Sequence, residues 1–147
     1  FGGLARMSGP MPHPKADFLL AVAGPAMSAV MALLFYAAGH LITMLPLPAT
    51  QVFLFMGYIN LLLAVTNMIP ALPLDGGRAL RAVVWHVTKN PALATRCAGY
   101  LGYALATGIF AYGLYLLIAV NDTLSGIWYM VMAYFLHGAA SAAVKNA

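Results

Sequence analysis

Residues 67–77 read NMIPALPLDGG, so an amide, two prolines, a carboxylate and a glycine pair close an otherwise apolar run. A carboxylate in or near hydrocarbon is costly and needs a partner or a task. Pro70 and Pro73 stop a regular helix, and Gly76 and Gly77 permit unusual backbone angles. Asp75 is therefore expected on a broken, buried segment packed against protein or a water-filled cavity. Two purely structural uses stand beside a chemical one. Asp75 could cap a following helix whose first residues would be Gly77 and Arg78, or it could pair with Arg78. Upstream, Asn60 and Asn67 lie seven residues apart and share a helix face. Together they could line a polar site, or each could hold two helices together.

The elements that must position these groups are membrane spans. Of the 147 residues, 63% are hydrophobic and 7% charged, and the mean hydropathy is +0.88. This composition excludes an ordinary soluble domain. At roughly 20 apolar residues per span, it allows about four or five spans in one domain. The predicted fold class is all-α polytopic: a single transmembrane domain over 1–147 with four spans near 18–45, 51–69, 97–120 and 123–144. A short interfacial helix is expected from Gly77 to Thr88, with Leu80, Val83, Val84 and Val87 at helical spacing and Arg78 and Arg81 elsewhere on its surface. In the first span, Gly24, Ser28 and Ala32 recur every four residues, which lets another helix approach closely.

Seven Lys and Arg residues sort onto one side of this arrangement. Arg6 and Lys15 precede the first span, Arg78, Arg81, Lys89 and Arg96 lie between the second and third, and Lys145 follows the fourth. The opposite turns carry only Asp122. By the positive-inside rule, the N-terminus, the segment between the second and third spans and the C-terminus are cytoplasmic, in a multi-pass protein of the cell membrane. The net charge of +4 thus reports topology, and the lipid bilayer is the expected partner rather than nucleic acid. The single Cys97 rules out an intramolecular disulfide. The start at Phe1-Gly2-Gly3, with no initiator Met, reads as that of a fragment.

The segment NMIPALPLDGGRALRAVVW resembles the motif of the site-2 protease family of intramembrane zinc metalloproteases. FGGLARM, FLLAVAGPAMSAVMALL, NPALATRCAGYLG and GIWYMVMAYFLHGAASAA resemble neighbouring segments of its prokaryotic branch, so that nearly the whole chain is covered. The resemblance implies one catalytic Zn2+, held by two His of a His-Glu-x-x-His motif on an earlier helix and by the Asp of the Leu-Asp-Gly motif, which is Asp75 here. Two imidazoles and a carboxylate leave the fourth tetrahedral position for water. Asn67 matches the family's Asn eight residues before that Asp, and its amide would hydrogen-bond a scissile carbonyl or oxyanion. Holding two helices together is the alternative use of Asn67. The family also implies transmembrane protein substrates, a short β-strand at Phe1 to Met7 that holds an unwound substrate, and regulatory CBS domains that often follow such a core.

The chain departs from the pattern in holding neither a His-Glu-x-x-His nor any Glu, and Ser28 stands where many relatives have Asn. His13, His40, His86 and His137 are scattered, although His13 and His86 lie on the side of Asp75. The expectation is an intramembrane zinc metalloprotease whose catalytic helix lies upstream, with these 147 residues alone inactive and weak in zinc binding. The rival is a non-catalytic scaffold that binds transmembrane helices without cutting them. A transporter half with an ion path at Asp75 is a third reading, disfavoured because the last two spans lack a second proline-broken segment. Oligomeric state stays open, since small-residue faces serve packing within and between chains equally.

Overall fold

A computed structural model describes residues 13–41 and 47–147. Five helices follow in order: α1 (Pro14–Leu41), α2 (Leu47–Asn67), α3 (Asp75–Thr88), α4 (Pro91–Tyr115), which continues as a π-helical turn over Leu116–Val120, and α5 (Thr123–Lys145). Four of them, all but α3, are long and apolar enough to cross a membrane. The strand expected at Phe1 to Met7 lies outside the described residues.

Two helical hairpins are joined through α3, which packs against α1 on one side and α4 on the other. Small residues set the approach within each hairpin. A Cβ on Gly39 would meet the Leu54 side chain, and one on Gly57 would lie 3.2 Å from the Ala32 carbonyl oxygen. In the second hairpin, Gly113 and Gly126 face each other's carbonyl oxygens at 2.9 and 3.0 Å from where a Cβ would sit. The buried residues of α4 include Ala94, Ala98, Gly102 and Ala106, at four-residue spacing on one face. Outward, the large side chains are bare: Leu33 is 69% exposed and Tyr134 78%. With so little apolar surface buried inside the chain, the solvent these helices are built for is hydrocarbon.

Polar punctuation fixes the helix ends. Thr88 is the last residue of α3, and Lys89 follows in the left-handed region at φ 57°. Asn90 then caps α4, its side chain accepting from the Leu93 amide at 3.0 Å, with Pro91 in the first helical turn. Proline is favoured there because that N–H has no helical partner. The third membrane helix thus begins at Pro91 and takes Arg96 inside it, well before the first uncharged residue near 97. Asp122 caps α5 in the same way, accepting from the Ser125 amide at 3.1 Å.

Candidate active site

The segment between α2 and α3 is held by glycines that let backbone cross backbone. The Leu72 amide donates to the Ala98 carbonyl of α4 at 3.1 Å, and a Cβ on Gly102 would run into the Leu72 carbonyl oxygen. A Cβ on Gly76 would strike the Met68 carbonyl, and one on Gly77 the peptide joining Ala71 to Leu72. Ala71 and Leu72 are buried, and the Leu72–Pro73 peptide is cis. Residues 68–74 therefore form a compact knot wedged against the first turn of α3 and the small-residue face of α4.

Asp75 is the first residue of α3, two positions earlier than the glycine pair suggested, because Leu74 is already the extended residue that enters the helix. No side chain caps this helix, so the capping role expected as one use of Asp75 is not the one it plays. Its side chain is 32% exposed. Among the described residues neither carboxylate oxygen accepts a hydrogen bond, and the nearest cationic nitrogen is Arg78 Nη1, 3.9 Å from Oδ1. The other oxygen, Oδ2, faces α1. A methyl group placed on Gly24 would sit 3.0 Å from it. Gly24 thus provides the clearance for Asp75, a role that its four-residue spacing to Ser28 and Ala32 concealed. It also precedes Pro25 within the helix, where a Cβ would be crowded by the proline ring.

Asp17 is the site component that reasoning from sequence overlooked. It is 0% exposed and accepts from Arg81 Nε at 3.1 Å and Nη2 at 2.7 Å through Oδ2, and from Arg78 Nη2 at 3.4 Å through Oδ1. Arg78 and Arg81 are accordingly not free surface charges: their side chains are 36% and 29% exposed and turn onto α1. A buried carboxylate requires partners of this kind. The chain has only three acidic residues, and with Asp122 occupied as a cap, Asp17 was the remaining one to match to a cation. That scarcity was the available signal.

The two asparagines part company. Asn60 spends its amide on its own helix, donating to the Met56 carbonyl at 2.9 Å. Asn67, the last residue of α2, is half-buried and makes no side-chain hydrogen bond among the described residues, so its amide is open to a ligand. The described residues contain no group of three His, Cys, Asp or Glu side chains able to hold a metal. His13 and His86 do not complete one, and His137 packs against Tyr103 with the rings tilted at 48° and their centroids 4.9 Å apart. Among the described residues, what fits zinc is a single donor: a carboxylate that accepts no hydrogen bond there, in a recess that a Cβ on Gly24 would fill.

Known proteins resemble this chain in sequence and in fold. The profile of peptidase family M50 matches residues 41–109. A protein of Synechocystis sp. named as a candidate zinc metalloprotease is 35% identical over 151 residues, covering 100% of this chain and 38% of its own length. A candidate zinc metalloprotease of Mycobacterium tuberculosis is 32% identical over 142 residues, covering 95% of this chain and 36% of its own. The chain therefore spans little more than a third of these relatives. In fold it is similar to the site-2 protease from Methanocaldococcus jannaschii, with a TM-score of 0.69 at 24% identity over 92% of this chain and 58% of that one.

Proposed function

The chain belongs to peptidase family M50, the site-2 protease family, and from that premise we propose that it is the carboxylate-bearing part of an intramembrane zinc metalloprotease that cuts membrane-anchored proteins. One observation carries the reading. Asp75 presents a carboxylate that accepts no hydrogen bond among the described residues and meets Arg78 only at 3.9 Å, on a chain otherwise suited to lipid, against a glycine that leaves room beside it. Such a group is costly unless a cation or polar ligand joins it. The first turn of a helix is favourable for that charge, because the unpaired amides there carry partial positive charge.

In this proposal Asp75 is one zinc ligand, and the two histidines and the glutamate base come from a His-Glu-x-x-His motif that these 147 residues do not hold. Zinc, when bound, supplies Lewis acidity and lowers the pKa of water enough for attack on a peptide carbonyl near neutral pH. The residues of this chain orient and stabilise. Asp75 fixes a negative charge at the start of α3, where the 68–74 knot prevents it from sliding. Asn67, with its amide unspent, donates a hydrogen bond to the scissile carbonyl oxygen as charge develops there, a contribution of about 3 kcal/mol in comparable sites. The broken segment, rather than a continuous helix, gives an unwound substrate backbone a place to lie. On the positive-inside reading of the basic residues, the site would lie near the cytoplasmic face.

The test is cleavage of a membrane-anchored substrate by the full-length protein in liposomes. Asp75→Asn is expected to abolish cleavage, and Asn67→Ala to reduce kcat by about a hundredfold with little change in KM. If the full-length native protein binds the substrate tightly and never cuts it, the scaffold reading replaces this one.

A further inference from the structure

Four charges of alternating sign are linked by successive contacts between α3 and α1: Arg81, Asp17, Arg78 and Asp75. Arg81 engages Asp17 Oδ2 through two nitrogens, at 3.1 and 2.7 Å. Arg78 is shared. Its Nη2 lies 3.4 Å from Asp17 Oδ1, while its Nη1 stays 3.9 Å from Asp75 Oδ1. Arg78 and Asp75 are three residues apart on one helix, a spacing at which such side chains meet readily. An arginine facing a carboxylate at that spacing tends to close into a short, often two-pronged pair. Here the pairing expected as one use of Asp75 is present only as a long contact of 3.9 Å, and Asp17, fully buried, is the competing acceptor.

The geometry points to Asp17 as a positioning residue that withholds Arg78 from Asp75, leaving that carboxylate free for a cation. The inference rests on the reading of Asp75 as a zinc ligand. Arg81 contributes by saturating the other oxygen of Asp17, which orients the carboxylate so that Oδ1 faces Arg78. Loss of the Asp17 charge would leave Asp75 as the nearest anion to Arg78, and the pair could close by side-chain rotation alone. A guanidinium in that position engages the lone pairs a metal needs. Asp17 thereby acts on the metal site without touching it, in the way that outer-shell partners tune metal ligands.

A purely structural role for Asp17, stapling α1 to α3, makes a different prediction, because removing a second charge from a staple does not repair it. The experiment is zinc titration of the full-length protein in detergent against a chromophoric chelator. Asp17→Asn is expected to weaken zinc binding about tenfold or more, and the double variant Asp17→Asn with Arg78→Gln to restore it towards the native value. Arg78→Gln alone, the arm that decides if Asp17→Asn does not fold, is expected to bind zinc as tightly as the native protein or more so. Unchanged affinity in Asp17→Asn, a double variant as weak as the single, or weakened binding in Arg78→Gln overturns the inference. Asp75→Asn runs alongside. Retention of native zinc affinity in that variant overturns the ligand assignment itself, whereas its loss together with any of the three contrary results isolates the failure to Asp17.

Discussion

At position 24 the missing Cβ matters more than any side chain could. An alanine there would bring carbon to 3.0 Å from Asp75 Oδ2, closer than most Cβ contacts allow, so the carboxylate must shift. The effect on folding should be small. Alanine gains about 0.5–1 kcal/mol over glycine in a helix, which opposes the crowding against Pro25. Gly24→Ala is therefore predicted to weaken zinc binding of the full-length protein about tenfold while its thermal midpoint moves little. Metal titration paired with a thermal melt checks this. Unchanged affinity would mean that Gly24 serves packing alone. Asp75 stood out in the sequence as a candidate, because a carboxylate among prolines and glycines in an apolar run has few uses. Gly24 was not, since spacing marks a close approach without naming what approaches. Asp17 was hidden for a related reason: a charge near the start of a span looks like a solvated end, and only tertiary pairing shows that Arg78 and Arg81 have come to it.

Helix ends decide how these residues are presented. The start of α3 was misplaced by two residues in reasoning from sequence, because the glycine pair looked like a turn. In the structure Gly76 and Gly77 lie inside the first helical turn and are glycines because the 68–74 knot crosses them. The start of α4 was misplaced for the opposite reason. Arg96 and Lys89 appeared to bound the span, whereas Asn90 followed by Pro91 is the signature of a helix start. A second such start is Asp122, whose pKa lies below the ordinary 3.8, chiefly through the Ser125 side-chain and backbone hydrogen bonds. A carboxylate depressed by folding contributes stability above its unfolded pKa and loses it as pH falls through the folded value. The cap at α5 should therefore weaken as pH drops below 3.8, and Asp122→Asn, which keeps an oxygen acceptor, should flatten that part of the profile. Thermal midpoints of the two proteins from neutral pH down to acid test this, and parallel profiles would remove Asp122 from the account.

At the scale of the whole molecule, the four long apolar helices and their bare outer faces follow from composition, and their presence was legible in the sequence. The bridging of the two hairpins by α3 was not, because its amphipathic pattern is equally that of a helix lying free on the membrane surface. Orientation is a separate proposition. If the basic side is cytoplasmic, a cysteine at Lys89 in a Cys97→Ser background should be labelled by an impermeant maleimide only once the cell interior is opened, and one at Asn121 should be labelled in intact cells. The reverse pattern would invert the topology.

The central claim is that Asp75 holds zinc. Its most direct test is the metal content of the full-length protein purified in detergent, native and Asp75→Asn, by elemental analysis. The account predicts about one zinc per native chain, as in catalytic sites with three protein ligands, and a clear loss in the variant. Full retention of zinc by Asp75→Asn, or a native protein that carries none when purified with zinc present, would contradict it.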